Sequence, residues 1–156
     1  MTVTVAIDLG YEFEVKATFK DVFDVLSDVP TSASFFPKVD KLVDLGGNAY
    51  RWEMEKLGTA QVNIQTVYAS QYVSNKAKGS VVWTPVKDEG NALVGGSWQL
   101  TDKKKTTALE FKVAGTVDVP LPALMKMVVA PVVRGEFEKL VEQYIDNLIQ
   151  HFGGEA

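Results

Sequence analysis

The sequence predicts an α+β fold in which a curved antiparallel sheet of about six to seven strands wraps around one long C-terminal helix, with two short helices after the first strand. Three observations carry that expectation. Apolar and polar residues alternate in successive short segments, which is the period of half-buried strands. Turn signals of the hairpin type separate those segments, as antiparallel neighbours require. After Pro120-Leu121-Pro122 the period becomes helical and stays so almost to the end.

The first strand is read from Val3, Val5, Ile7, Leu9, Tyr11, Phe13 and Val15, which alternate with mostly polar neighbours. Gly10 in its middle suggests a bulge or bend. Thr18 then offers a helix N-cap, and Phe19, Val22, Phe23 and Leu26 follow at helical spacing. Pro30 is expected to end that helix, and a second short one runs from Thr31 or Ser32 to Phe36, closed by Pro37. Strand character returns from Val39 to Leu45, and Gly46-Gly47-Asn48 forms a hairpin turn. Tyr50, Trp52 and Met54 alternate next, and after Gly58 so do Ala60, Val62, Ile64, Thr66 and Tyr68. Further strands are expected at 78–84, 91–101 and 106–117, with turns at Ser74-Asn75, at Asp88-Glu89-Gly90 and at the run Lys103-Lys104-Lys105.

In the final helix, Phe137, Leu140, Val141, Tyr144, Leu148 and Phe152 form one stripe, and charged residues mostly cover the opposite face. The first half differs. Leu124, Met125, Met127, Val128, Val129, Val132 and Val133 are spread around the helix, which calls for a second apolar neighbour besides the sheet. Pro131 is expected to kink the helix or to start a new segment.

The chain has 156 residues, 46% apolar and 23% charged, and is read as one domain spanning 1–156. Such a length buries roughly 70% of its unfolded surface, enough for a core and a cavity. The net charge is −4, from 16 basic and 20 acidic residues, without the basic footprint of a nucleic-acid-binding protein. The lysine run reads as a solvated hairpin tip. There is no cysteine, so disulfides, thiolate metal sites and cysteine nucleophiles fall away together. Met1-Thr2-Val3-Thr4 lacks a basic region and Asp8 follows early, which does not read as a signal peptide. The apolar run Met127 to Val133 is too short to span a bilayer. A cytoplasmic location is the expectation.

Chemistry-bearing motifs are sparse. The one histidine, His151, sits near a helix end, where it complements the helix dipole. No cluster has metal-ligand spacing, so neither metal nor cofactor is expected. Gly46-Gly47 and Gly95-Gly96 belong to no phosphate-binding pattern. Gly95-Gly96 falls inside a strand, where glycine marks a bend or bulge, a close approach, or room left in a cavity. Glu12/Glu14 and Glu53/Glu55 have the parity of solvent-facing residues, and no nucleophile elbow is present. No residue is assigned a catalytic role; Asp118 is the nearest to a pocket-facing acid.

What remains is the inward face. Tyr50, Trp52, Met54, Ile64, Thr66 and Tyr68 supply one part of it, with Val62 beside them. Trp98, Phe111 and Val113 supply another, and Met125, Val128 and Val132 come from the helix with Leu124. These are the candidate ligand contacts, because methionine and aromatic side chains make an adaptable apolar wall with few polar anchors. Tyr50, Thr66, Tyr68 and Trp98 are the candidate anchors, and the apolar start of the final helix is a candidate gate.

The element order and three stretches carry a family resemblance. They are Phe13-Glu14-Val15-Lys16-Ala17-Thr18 leading into Val22-Phe23-Asp24-Val25-Leu26-Ser27-Asp28, then Phe35-Phe36-Pro37-Lys38-Val39, then Pro120-Leu121-Pro122. Over nearly its whole length the chain resembles the START-like, helix-grip superfamily (SRPBCC), the polyketide cyclase and lipid-transport type. Within it, the chain is similar to the branch of small proteins that resemble an accessory protein of carbon monoxide dehydrogenase. The resemblance implies a carrier of a lipid, quinone or polyketide-like compound in a cavity between sheet and helix. Two alternatives stay open: a polyketide cyclase or dehydratase, and a co-chaperone-like or accessory module in which Met125, Met127, Val128 and Val129 dock a protein partner.

Overall fold

The computed structural model describes residues 3–58 and 63–156. Strand β1 (Val3–Val15) is followed by helices α1 (Phe19–Ser27) and α2 (Val29–Ala33). Strands β2 (Val39–Gly46) and β3 (Ala49–Met54) come next, then two short strands, β4 (Leu57–Gly58) and β5 (Asn63–Ile64). The meander closes with β6 (Val67–Asn75), β7 (Ser80–Val86), β8 (Ala92–Asp102) and β9 (Thr107–Val119). A short 3₁₀ turn (Ala123–Met125) leads into α3 (Lys126–His151).

Seven strands form one antiparallel sheet in the order β1-β9-β8-β7-β6-β3-β2, and β4 pairs only with β5. The helix-grip architecture expected from the sequence is the one observed. Period two decides the faces of β1: Val3, Val5, Ile7 and Val15 are buried while Thr4, Ala6 and Asp8 are exposed. No bulge occurs at Gly10, which pairs with Lys112 in an unbroken register with β9. The C-terminal tail covers the far end of β1. The Lys16 amide donates to the Gly154 carbonyl at 3.0 Å, and the Ala156 amide donates to that of Glu14 at 2.9 Å.

Three boundaries differ from expectation. The Thr18 hydroxyl does cap α1, accepting from the Asp21 amide at 3.4 Å. Pro30, however, falls in the first turn of α2 rather than stopping α1, a place where its missing amide costs nothing. Of the strand expected from Ala60 to Tyr68, residues 60–62 lie outside those described, Asn63–Ile64 form β5, and a separate strand starts at Val67 and continues through Asn75. Its turn comes later, at Lys76–Gly79, where Gly79 takes φ +64°. Val62 lies outside the described residues. Pro131 sits inside α3, which runs on past it as one helix.

Gly96 has a clear reason to be glycine. A Cβ there would lie 2.2 Å from the Lys112 carbonyl and 2.7 Å from the Trp83 ring. Of the readings open from sequence, close approach is the one realised, and the space a side chain would take is filled by Trp83.

Candidate functional site

Antiparallel register builds the site. It sets Trp52 opposite Tyr68, Tyr72 opposite Trp83, and Trp98 opposite Phe111, and directly opposed side chains on one face must touch. All six rings line a hollow between the sheet and the helices. Leu26, Val29, Ser32 and Phe36 close it from the side of α1 and α2, and Phe137, Val141 and Tyr144 from α3.

The rings make a closed circuit. Phe36 meets Trp52 edge-on at 5.8 Å, and the Trp52 indole N–H donates to the Tyr72 hydroxyl at 3.0 Å. Tyr72 packs on Trp83 at 5.7 Å and Trp83 on Phe111 at 5.8 Å. Phe111 meets Tyr144 at 6.1 Å, and Tyr144 returns to Phe36 at 5.0 Å. Tyr68 stacks on Trp52 at 5.9 Å, and Trp98 packs on Phe111 at 4.5 Å.

The hollow is narrow. Its cavity volume is about 50 Å³. Counting every gap between the atoms out to the mouth raises this to about 540 Å³, so most of the space is crevice or open solvent. The smaller figure decides what fits at rest, and it is far below the roughly 300–1,000 Å³ of a ligand-filled pocket.

Polar groups in the wall are hydroxyls and indoles. The Ser32 and Tyr144 hydroxyls hydrogen-bond to each other. Burial pushes the Tyr144 hydroxyl up to about 12, against the lowering effect of its bond to Ser32. Burial raises Tyr68 well above the ordinary tyrosine value and also raises Tyr72, whose bond from Trp52 works the other way. All three are therefore neutral phenols near pH 7, able to donate or accept a hydrogen bond but not to act as bases. Among the described residues no Asp, Glu, Lys, Arg or His lines the hollow, and no acidic or histidine cluster could hold a metal ion.

Of the residues singled out from sequence, Trp52, Tyr68, Trp98, Phe111 and Val113 line the hollow. Tyr50 is half-buried and meets Tyr72 at 6.0 Å from outside it. Met54 and Thr66 are buried off the wall. The side chain of Ile64 lies outside those described. Met125 and Val128 are exposed, and Val132 is half-buried, none of them on the wall. Among the described residues the wall takes nothing from α3 before Phe137. Asp118 is exposed and accepts from the Thr4 hydroxyl at 2.7 Å, far from acid–base use here. His151 is exposed at the end of α3 with its ring 4.8 Å from Phe35.

Several wall residues are not among the candidates that the sequence offers, the aromatic Phe36, Tyr72, Trp83, Phe137 and Tyr144 among them. Val81 and Trp83 carry the right alternation, so parity is a signal that reaches them. Tyr72 is hidden by a strand expected to end at Tyr68, and Tyr144 by its place in the apolar stripe of the helix core.

Residues 6–150 match the family model described as polyketide cyclase / dehydrase and lipid transport. No curated protein matches the sequence significantly. Among solved structures, the Zhui aromatase/cyclase from a Streptomyces species is similar at TM-score 0.68 and 13% identity, covering 96% of this chain and 99% of that one. A START superfamily protein from Mycobacterium smegmatis is similar at TM-score 0.65 and 14% identity, covering 92% and 97%. A di-domain ARO/CYC protein of the steffimycin pathway reaches TM-score 0.63 at 13% identity, and this chain spans 51% of it. At such identities the likeness is one of fold.

Proposed function

Because the chain belongs to the polyketide cyclase / dehydrase and lipid transport family, we propose that it binds an uncharged aromatic small molecule, quinone-like or polyketide-like, between the sheet and α3. The closed circuit of aromatic faces, with no charged group among the described wall residues, carries this reading. A flat ring gains on every side by stacking on such walls. A charged head group would lose its hydration with nothing to replace it, which ranks fatty acids and phospholipids below neutral aromatics. Ser32, Tyr68, Tyr72 and Tyr144 supply hydroxyl partners for a ligand carbonyl or phenol. The resting volume requires the rings to part as the ligand seats, so affinity reflects stacking gained minus packing given up.

A cyclase reading has one observation in its favour: the Ser32–Tyr144 pair is a buried proton donor that could polarise a carbonyl. It lacks a base, and turnover of an aromatic polyketide by the purified protein is what would revive it.

The test uses the tryptophans. All three of the chain, Trp52, Trp83 and Trp98, line the hollow, so their fluorescence reads the ligand directly. Titration with a neutral naphthoquinone or anthraquinone is expected to quench it saturably, and Val141→Trp, which fills the hollow, to abolish that response. Protein that native mass spectrometry finds empty as purified, and that no such compound quenches saturably, would sink the proposal.

A further inference from the structure

We infer that the start of α3, with the 3₁₀ turn before it, is a docking surface for an anionic lipid bilayer. Leu124 and Met127 are 93% and 89% exposed, and Val128 is 57% exposed. With exposed Pro131 they follow the spacing of one outer helical stripe, while Val129, Ala130 and Val133 turn inward and anchor the segment in the core. The stripe is thus rigidly presented and not a frayed end. This inference stands apart from the ligand reading, since no residue of the stripe touches the hollow.

Charge selects the occupant. From Val119 to Gly135 the sequence holds no carboxylate but carries Lys126 and Arg134, in a chain whose net charge is −4. The first turn of α3 has no acidic residue, and Met125 at its N-cap makes no side-chain cap bond. The helix dipole therefore adds to the Lys126 charge on the same surface. Exposed apolar side chains around a cationic helix end fit lipid tails below anionic head groups. A second copy fits badly, because it brings the same Lys126 and Arg134 charges to both sides of the contact with no carboxylate between Val119 and Gly135 to pair with them. Among the described residues no helix is long and apolar enough to cross a membrane, so the contact proposed is with the surface.

The full chain is to be co-sedimented with vesicles of phosphatidylcholine alone and of phosphatidylcholine with phosphatidylglycerol. Association is expected with the second, weakening as salt rises. The double substitution Leu124→Ser/Met127→Ser should lower it by at least about tenfold, and Lys126→Glu by about fivefold. Both alter exposed side chains, and unchanged melting temperatures confirm that the fold survives. No association with the phosphatidylglycerol vesicles overturns the inference, as does association that the double substitution leaves intact. A dimer in solution that the double substitution splits overturns it in favour of a second copy.

Discussion

The two halves of α3 are both rich in apolar residues and opposite in what they do with them. From Phe137 onward, the stripe of Phe137, Leu140, Val141, Tyr144 and Leu148 is buried, and Glu138, Lys139, Glu142 and Asp146 face water. Before Gly135, only Val129, Ala130 and Val133 are buried, and Leu124, Met127 and Val128 stand in solvent. Hydrophobicity states a demand for burial; the neighbouring elements decide whether the demand is met within the chain. In the second half the sheet and α2 meet it. In the first half the chain runs out of partners, and the apolar surface left over is what an interaction surface is made from.

The comparison breaks most visibly at the buried end. Trp98 is 2% exposed and packs against Phe13, Phe111 and Tyr144. Trp98→Ala is expected to cost about 3–5 kcal/mol, read as a fall in the urea midpoint. A cost near zero would show that the hollow is a soft, solvent-filled space rather than a packed wall.

Alkaline titration probes the same wall without mutation. Tyr144 is raised by burial to about 12, and burial also raises Tyr68 and Tyr72. Above the ordinary tyrosine value of about 10 the unfolded chain releases these protons while the folded chain holds them, so stability must fall as pH rises. Tyr144 alone contributes a slope of up to about 1.4 kcal/mol per pH unit between about pH 10 and 12. Chemical denaturation at stepped pH should show a plateau below pH 10 and a decline above it. A flat profile would mean that the phenols ionise freely and are wetter than the structure places them.

The Ser32–Tyr144 bond is a smaller effect with a sharper signature. Tyr144→Phe leaves the buried Ser32 hydroxyl without this partner and should cost about 1–3 kcal/mol. Adding Ser32→Ala removes the orphan as well, so the double variant should lose less than the two single losses added together. Additive losses in urea denaturation would deny the bond.

What is legible in the sequence follows from which interactions are local. The alternation of Val3 to Val15, the Thr18 cap and the stripe from Phe137 to Phe152 are written in neighbouring residues, and the structure repeats them. Ala60 to Tyr68 alternates as well as any strand does, yet the long strand is Val67–Asn75. Register, which is non-local, decides between them. The aromatic circuit is only half readable for the same reason. Trp52, Tyr68, Trp98 and Phe111 have inward parity, but that Tyr72 faces Trp83, or that Phe36 reaches Trp52, depends on pairing across the sheet and on where α2 ends. Met125 and Val128 fall off the wall because periodicity gives the face of a helix and not its depth along the cavity.

The smallest expected effect completes the comparison. Met127→Ala deletes a long apolar side chain, a change that costs about 2–5 kcal/mol in a core. At 89% exposure it has few contacts to lose, and alanine is the better helix former, so the change in stability should stay within about 0.5 kcal/mol. Measured by urea denaturation at two protein concentrations, such near-neutrality would mark the side chain as kept for something outside the folded chain. A loss above about 1 kcal/mol that grows with protein concentration would instead mean that a second copy already covers Met127 in solution, because only an associating species makes stability depend on concentration. The contrast between the halves of α3 would then be one between intramolecular and intermolecular burial.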